Sequence, residues 1–154
     1  MSSVGVKPGR ERLLKLLAGD MFERTLRGEI WPLPGGGDAD EIVAAAKGLQ
    51  ADFCLFDRLP GAGGKARALG LAAGAVVNGP WQRWLNEVGW QEAMLQLAKD
   101  SELLRQGLAA AAQGARQEIA DWQATGIELV LLADDIAYAA GPYMSPQQLE
   151  RFLL

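Results

Sequence analysis

The sequence contains no histidine and only one cysteine, and this composition limits the chemistry that the protein can perform. Histidine is the commonest general base near neutral pH and the commonest metal ligand, so this chain must use carboxylates, tyrosines, arginines, lysines or backbone groups. A zinc site made from these 154 residues alone is therefore not expected. The single cysteine, Cys54, cannot form a disulfide within the chain, and its apolar neighbours favour a buried side chain over a reactive thiol.

Long apolar runs and an excess of basic residues are also missing. No run approaches the ~18 uninterrupted apolar residues of a membrane span, and the first residues do not resemble a signal peptide, so we expect a cytoplasmic protein that does not bind a membrane. The net charge of −4 argues against a nucleic-acid partner held through phosphate contacts. Because 49% of the residues are hydrophobic and 22% are charged, we expect a folded chain, and its length suits one domain.

The clearest pattern is the apolar run at residues 127–133, which Gly126 precedes and Asp134 and Asp135 follow. Its length and branched side chains predict a strand buried on both faces, as in a parallel sheet. The two aspartates then stand where the strand leaves the sheet, which is where parallel α/β folds place their chemistry. A short loop that contains Gly141 is expected next.

A helix start follows that loop at Ser145, Pro146 and Gln148. Ser145 is the predicted cap, Pro146 suits the first helical position, and Gln148 completes a capping box. The apolar residues 152–154 come in the middle of this helix, so we expect the fold to continue beyond Leu154.

The order of strand and helix occurs four times, and it predicts an α/β fold with a parallel sheet and right-handed crossovers. Residues 1–8 are predicted to be a flexible arm and residues 9–154 a single domain. Earlier strands are expected at residues 29–33, 52–56 and 75–77. Helices are expected at about residues 10–27, 38–49, 63–73, 81–85 and 100–124, with an interruption of the first at Gly19.

Two architectures fit four such units: a small doubly wound open sheet, or the N-terminal half of an eight-stranded barrel, which usually needs about 250 residues. The apolar end of the chain favours the half-barrel. A third possibility is a complete binding protein for an anionic metabolite at Gly35–Gly37, although these glycines fit a flexible turn better because no Walker lysine follows them.

Polar residues recur just after the predicted strands, at Asp57, Asn78, Asp134 and Asp135. Each of these residue types is, taken singly, more often a helix cap or a turn residue. The loops that follow parallel strands open on one face of the sheet, so we expect these side chains to share a cleft.

Three segments resemble the uroporphyrinogen decarboxylase superfamily: Asn78-Gly-Pro-Trp81, Gly126-Ile-Glu-Leu-Val-Leu-Leu-Ala-Asp-Asp-Ile-Ala137 and Met144-Ser-Pro-Gln-Gln-Leu-Glu-Arg-Phe152. That superfamily includes the decarboxylases of haem synthesis and the zinc-dependent methyltransferases that serve corrinoid proteins. The resemblance extends over residues 10–154 and is strongest at the end of the chain. It implies the N-terminal half of a TIM-type (β/α)8 barrel, and a lyase of porphyrin biosynthesis or a cobalamin-dependent methyltransferase.

The resemblance also implies roles for individual residues. Asp57 falls at the position of the aspartate that binds the pyrrole nitrogens, and a carboxylate there would stabilise a pyrrolic cation. Asn86 stands where the decarboxylases have a tyrosine. The implied catalytic residues are Asp57, Asp135 and Tyr138, and the implied substrate-binding residues are Asn78, Trp81, Asn86 and Asp134.

Two features favour the methyltransferase branch. Residues 31–35 replace an arginine-containing segment of the decarboxylases, and the sequence from Asp134 through Tyr138 to Gly141-Pro142 is more similar to the methyltransferases. In that branch the zinc ligands come from the second half of the barrel, so this chain assigns no cofactor of its own. The expected partners are a small-molecule substrate or a corrinoid protein. The alternative is a non-catalytic half-barrel that pairs with a second copy or with a completing partner chain, because both edge strands would be open.

Overall fold

The computed structural model describes residues 9–20, 25–31, 39–56 and 62–153. The helices are α1 (Gly9–Leu17), α2 (Ala39–Gly48), α3 (Ala62–Ala68), α4 (Pro80–Val88), α5 (Trp90–Ala98), α6 (Glu102–Ala124) and α7 (Pro146–Phe152). The strands are β1 (Gly28–Trp31), β2 (Phe53–Phe56), β3 (Ala72–Asn78), β4 (Leu129–Ala133), β5 (Ala137–Tyr138) and β6 (Gly141–Pro142). Among these helices, none combines the length and the apolar character that crossing a membrane requires.

The main sheet has the strand order β1-β2-β3-β4. Strand β1 pairs in parallel with β2, with Gly28 opposite Phe53, and β2 pairs in parallel with β3, with Phe53 opposite Ala72. The predicted α/β class with a parallel sheet is therefore confirmed. Residues 32–38 and 57–61 lie outside the described residues, and with them the glycine run at Gly35–Gly37.

The chain divides into two compact units, which are Met1–Val76 with Asp121–Leu131 and Val77–Ala120 with Leu132–Leu154. The first unit contains the pairing of β1, β2 and the start of β3, and Cys54 is fully buried there, as expected. Its one fully buried charge among the described residues is Asp52. The carboxylate of Asp52 accepts bonds from Arg12 Nε at 2.7 Å and from the backbone N–H of Arg27 at 2.9 Å, which offsets the cost of burial.

The second unit is built around tryptophans of α4. Its core cluster consists of Trp81, Trp84, Ala93, Leu97, Leu104, Leu108 and Met144. Helices α4, α5 and α6 contribute most of these residues, and their apolar faces pack on one another because each helix is amphipathic. Helix α7 is tied to the same group, since the Gln148 side chain donates to the Leu97 carbonyl at 3.3 Å.

Local signals placed several elements correctly. Helix α6 begins within two residues of the predicted start, where Ser101 Oγ accepts a bond from the Leu104 N–H at 3.1 Å. The predicted capping box of α7 is confirmed: Ser145 Oγ accepts from the Gln148 N–H at 3.2 Å, and Gln148 Oε1 accepts from the Ser145 N–H at 3.0 Å. Both signals act within three or four residues, so they do not depend on the rest of the fold.

Other boundaries were wrong. Helix α3 ends at Ala68 rather than residue 73, because the N–H groups of Gly70 and Leu71 turn back to the carbonyls of Arg67 and Ala66. Strand β3 consequently starts at Ala72, earlier than predicted. The first helix ends at Leu17, close to the interruption expected at Gly19, and residues 25–27 are not helical.

Two larger predictions also need correction. Helix α5 was not predicted, so the connection from β3 to β4 contains three helices instead of two. Strand β4 is not buried on both faces, because Leu131 is 37% exposed and Leu132 is 50% exposed. The strand order explains the exposure: β4 is at the end of the sheet, where its apolar side chains have a neighbouring strand on one side only.

Two glycines of α6 give a matched test of the packing in the second unit. A Cβ at Gly107 would lie 2.2 Å from the Trp84 ring, whereas a Cβ at Gly114 would lie 3.6 Å from its nearest neighbour. We expect Gly107→Ala to lower the free energy of unfolding by about 1–3 kcal/mol through overpacking. Gly114→Ala should raise it by up to about 1 kcal/mol, because alanine is the better helix former. Urea unfolding measures both, and equal changes at the two positions would contradict the Trp84–Gly107 contact.

Candidate functional site

Asp134 lies against the N-terminus of α4. Its Oδ1 accepts the backbone N–H of Gln82 at 2.7 Å and its Oδ2 accepts the backbone N–H of Trp81 at 3.3 Å. The Gly79 N–H donates to the Ala133 carbonyl at 2.7 Å, so the ends of β3 and β4 are also joined directly. Asp134 therefore lies beside the segment that follows β3, whereas the cleft expected for Asp57, Asn78, Asp134 and Asp135 stays a prediction, because Asp57 lies outside the described residues.

The sequence at the start of α4 explains why the carboxylate binds there. The first N–H groups of a helix have no partner within the helix, and a side chain at the N-cap usually accepts one of them. Here the N-cap is Gly79, which has no side chain, and Pro80 has no N–H to satisfy. Asp134 supplies the missing acceptor from another part of the chain, where the positive end of the helix dipole also favours a carboxylate.

The approach of Asp134 requires glycine at position 79. A Cβ on Gly79 would lie 2.4 Å from the Asp134 carboxylate. Gly79 thus has two effects: it has no side chain that could cap α4, and it leaves room for the Asp134 carboxylate, which caps the helix instead.

Burial raises the pKa of the Asp134 carboxyl above its ordinary 3.8, and the bonds from the Gln82 and Trp81 N–H groups oppose that rise without cancelling it. The folded protein therefore holds a proton on Asp134 more readily than the unfolded chain does. As the pH rises from 3.8 through the folded-state pKa, the contribution of Asp134 to stability decreases, and above that pKa it is constant.

The other predicted residues near α4 have different environments. The backbone carbonyl of Asn78 accepts a bond from Arg83 Nε at 2.8 Å, and Arg83 also pairs with Glu118 of α6. Asn86 is exposed, and its Oδ1 accepts from Gln82 Nε2 at 3.0 Å, one helical turn earlier. Trp81 is fully buried in the core of the second unit.

The residues after β4 form a hairpin rather than the predicted plain loop. Strands β5 and β6 pair antiparallel, with Tyr138 opposite Gly141, and the Tyr143 N–H donates to the Ile136 carbonyl at 2.9 Å. Position 143 is therefore opposite Ile136, whose side chain shares a face with Tyr138 because residues two apart in a strand point the same way. Diagonal neighbours of this kind are within reach of aromatic side chains.

Three aromatic side chains meet at this hairpin, and we call Trp90, Tyr138 and Tyr143 the aromatic cluster. The rings of Tyr138 and Tyr143 are stacked, with centroids 5.5 Å apart and planes 5° apart. Trp90, the first residue of α5, meets Tyr143 edge-on at 4.8 Å. Trp90 is 50% exposed and Tyr138 is 59% exposed, so the aromatic cluster reaches solvent.

Asp135 is exposed beside this hairpin, and its Oδ1 lies 3.4 Å from the Ala137 N–H as a weak acceptor. Desolvation, followed by the charge of Asp135, raises the pKa of the Tyr143 hydroxyl. The arrangement thus combines an accessible carboxylate with exposed aromatic faces. These groups suit a ligand that carries N–H groups or a positive charge.

Most of the predicted site residues lie in the second unit, and their roles differ. Asp134 caps α4, whereas Asp135 and Tyr138 remain accessible. Asp57 lies outside the described residues, so its predicted role stays a prediction. Sequence reasoning missed Trp90 and Tyr143; the useful signals were the Gly89-Trp90 break, which opens α5, and the spacing of the two tyrosines around a tight turn.

Neither metal-binding side chains nor similarity to known proteins assigns a function to this site. Among the described residues, no group of three or more histidine, cysteine, aspartate or glutamate side chains is arranged to hold a metal ion. Comparisons with protein-family models, with curated proteins and with solved structures found no match to this chain.

The capping role of Asp134 predicts different effects for the two adjacent aspartates. Asp134→Ala should lower the free energy of unfolding at neutral pH by about 1–2 kcal/mol, because two backbone donors of α4 lose their acceptor. Asp135→Ala should change it by less than about 0.5 kcal/mol, because Asp135 is exposed. Urea unfolding of both variants beside the parent protein is the measurement. Equal losses, or a larger loss for Asp135→Ala, would contradict the assignment.

Proposed function

We propose that the chain supplies the first four βα units of a TIM-type (β/α)8 barrel of the uroporphyrinogen decarboxylase superfamily, and that it acts on a tetrapyrrole or in corrinoid-dependent methyl transfer. The observation that carries the proposal is the strand order β1-β2-β3-β4. Consecutive strands are neighbours all around a (β/α)8 barrel, whereas a doubly wound sheet reverses its order at a switch point. The sequential order supports the barrel over the open sheet.

The position of the polar residues supports the same proposal. Barrel enzymes carry their active sites on the loops at the carboxyl ends of the strands. Asn78 ends β3, and Asp134 and Asp135 follow β4 directly. The bond between the Gly79 N–H and the Ala133 carbonyl brings these two strand ends together.

The proposed roles follow from the environments of the side chains. Asp135 anchors N–H or ammonium groups of the substrate, and Tyr138 donates a hydrogen bond to it. Asp134 is a positioning residue that holds α4, and Asn78 and Asn86 complete the binding region. Trp81, which was expected to bind substrate, is fully buried and supports α4 from the core instead. Asp57 is the proposed ligand of the pyrrole nitrogens. The proposal keeps the cytoplasmic location that the sequence predicts, and any zinc would have ligands from a second half of the barrel.

Titration with uroporphyrin and, separately, with hydroxocobalamin tests this proposal through tryptophan fluorescence and the absorbance of the added compound. We expect saturable binding of one of them, weakened about thirtyfold in the double variant Asp135→Asn, Tyr138→Ala, because each change removes a contact worth ~1 kcal/mol. Gln113→Ala, an exposed change on α6, is the matched control and should bind like the parent.

The two branches of the superfamily give different outcomes. Uroporphyrin binding that is also lost in Asp57→Asn would support the decarboxylase branch, and cobalamin binding that ignores Asp57 would support the methyltransferase branch. Absence of saturable binding for both compounds, or equal binding by the double variant and the control, would overturn the proposal.

A second candidate is a non-catalytic half-barrel that pairs with another copy of itself. It is favoured by β4, an end strand of the sheet whose Leu131 and Leu132 are exposed. Exposed apolar end strands invite pairing with another chain. A second copy is the partner that fits, because β1 and β4 are the two ends of one sheet and a two-fold axis would join β4 of each copy to β1 of the other.

Sedimentation velocity tests this pairing across a range of concentrations. We expect a dimer that Leu132→Lys weakens by at least about tenfold, since a buried lysine lacks a partner there. Leu95→Lys changes a comparably exposed leucine, 45% against 50%, on α5 and should leave the dimer unchanged. A monomer at all concentrations, or equal effects of the two lysines, would exclude pairing through β4.

A further inference from the structure

The aromatic cluster has an unusual combination of order and exposure. The rings of Tyr138 and Tyr143 are stacked, and Trp90 meets Tyr143 edge-on, which is the geometry of packed aromatic side chains in protein interiors. Yet Trp90 and Tyr138 are both at least half exposed. Exposed aromatic groups that are held in place by secondary structure are typical of binding sites.

The hairpin and helix α5 hold the residues of the aromatic cluster in place. Tyr138 lies in β5, and Tyr143 is held opposite Ile136 by its backbone bond across the hairpin. Trp90 is the first residue of α5. These side chains would therefore lose little conformational entropy when a ligand binds.

The stacking of Tyr143 on Tyr138 leaves part of the Tyr138 ring accessible. Tyr143 occupies one face of Tyr138, because the two planes are parallel within 5°. Tyr138 is nevertheless 59% exposed, so ring surface that Tyr143 does not cover is accessible. The face of an aromatic ring carries negative electrostatic potential, and it attracts a cation placed within about 6 Å of the ring centroid.

The charge next to the aromatic cluster has the matching sign. Asp135 is exposed three residues before Tyr138, and its charge contributes to the raised pKa of the Tyr143 hydroxyl. A carboxylate there attracts a cation and repels an anion, and it disfavours a purely apolar ligand because burying it would cost solvation.

We propose that the aromatic cluster and Asp135 bind the ammonium group of a small organic cation. The cation lies against the accessible part of the Tyr138 ring, and Asp135 balances its charge. This inference rests on the proposed function only in sharing Asp135 and Tyr138 with it, and it specifies the chemical group that this part of the site recognises.

Choline and its uncharged isostere 3,3-dimethyl-1-butanol test the inference directly, since they differ mainly in the charge. Resonances of the Tyr138 ring and the Trp90 indole N–H follow each titration by NMR. We expect choline to shift both sets of resonances saturably, and the neutral compound to bind about two- to fivefold more weakly, which is the effect of an exposed cation–π contact. Equal binding of the two compounds would overturn the inference.

Variants of two residues separate ring, hydroxyl and charge. Tyr138→Phe keeps the ring and should bind choline like the parent protein, whereas Tyr138→Leu should weaken choline binding about two- to fivefold. Asp135→Asn should weaken choline binding severalfold and reduce its dependence on salt. Gln113→Ala is the control, and an unchanged NMR spectrum of the core shows that each variant is folded. Unaltered choline binding by Tyr138→Leu would overturn the inference.

The outcomes also separate this inference from the proposed function. Choline binding without binding of uroporphyrin or hydroxocobalamin would support the ammonium site and overturn the proposed function. Binding of either of those compounds without choline would do the reverse. Binding of N-acetylarginine amide in place of choline would overturn the ammonium site and indicate a site for a guanidinium group.

Discussion

The bond between Asp134 and the first turn of α4 is the interaction on which the candidate site depends. Helix α4 begins with Gly79 and Pro80, which supply no side-chain cap, so the N–H groups of Trp81 and Gln82 need an acceptor from elsewhere. Asp134 provides it from the residue that follows β4. One carboxylate therefore fixes the start of a helix and the exit of a strand at the same time.

This constraint assigns different tasks to two adjacent aspartates. Asp134 is half-buried and used by the backbone, and Asp135 is left exposed at the entrance to the hairpin. The hairpin then places Tyr138 on Tyr143, and Trp90 meets the same ring from α5. The capped start of α4 thus supports one side of a surface. The accessible groups of that surface are the Asp135 carboxylate and the rings of Trp90 and Tyr138.

The sequence predicted the features that short-range forces decide. The capping box at Ser145 and the long helix α6 depend on neighbouring residues, and both are found. The exposure of β4 was mispredicted because an apolar run does not reveal its place in the strand order.

The candidate site was only partly predictable for the same reason. A position after a strand identified Asp134, but its bond to α4 joins residues about fifty positions apart and leaves no local pattern. Trp90 and Tyr143 belong to the aromatic cluster through α5 and the hairpin, neither of which was predicted. Residue types and strand ends therefore indicated where the site lies, and contacts distant in sequence determined what each residue does there.

The most direct test of this account is an NMR titration of the Trp81 and Gln82 amide protons together with the Asp134 carboxyl carbon. If Asp134 caps α4, all three signals follow one midpoint, which burial raises above 3.8, and the two amide protons stop responding in Asp134→Asn. A midpoint at or below 3.8 would show that the two N–H bonds outweigh the effect of burial, whereas amide protons that do not follow the carboxyl group would contradict the cap. In that case α4 and the end of β4 would not be joined through Asp134.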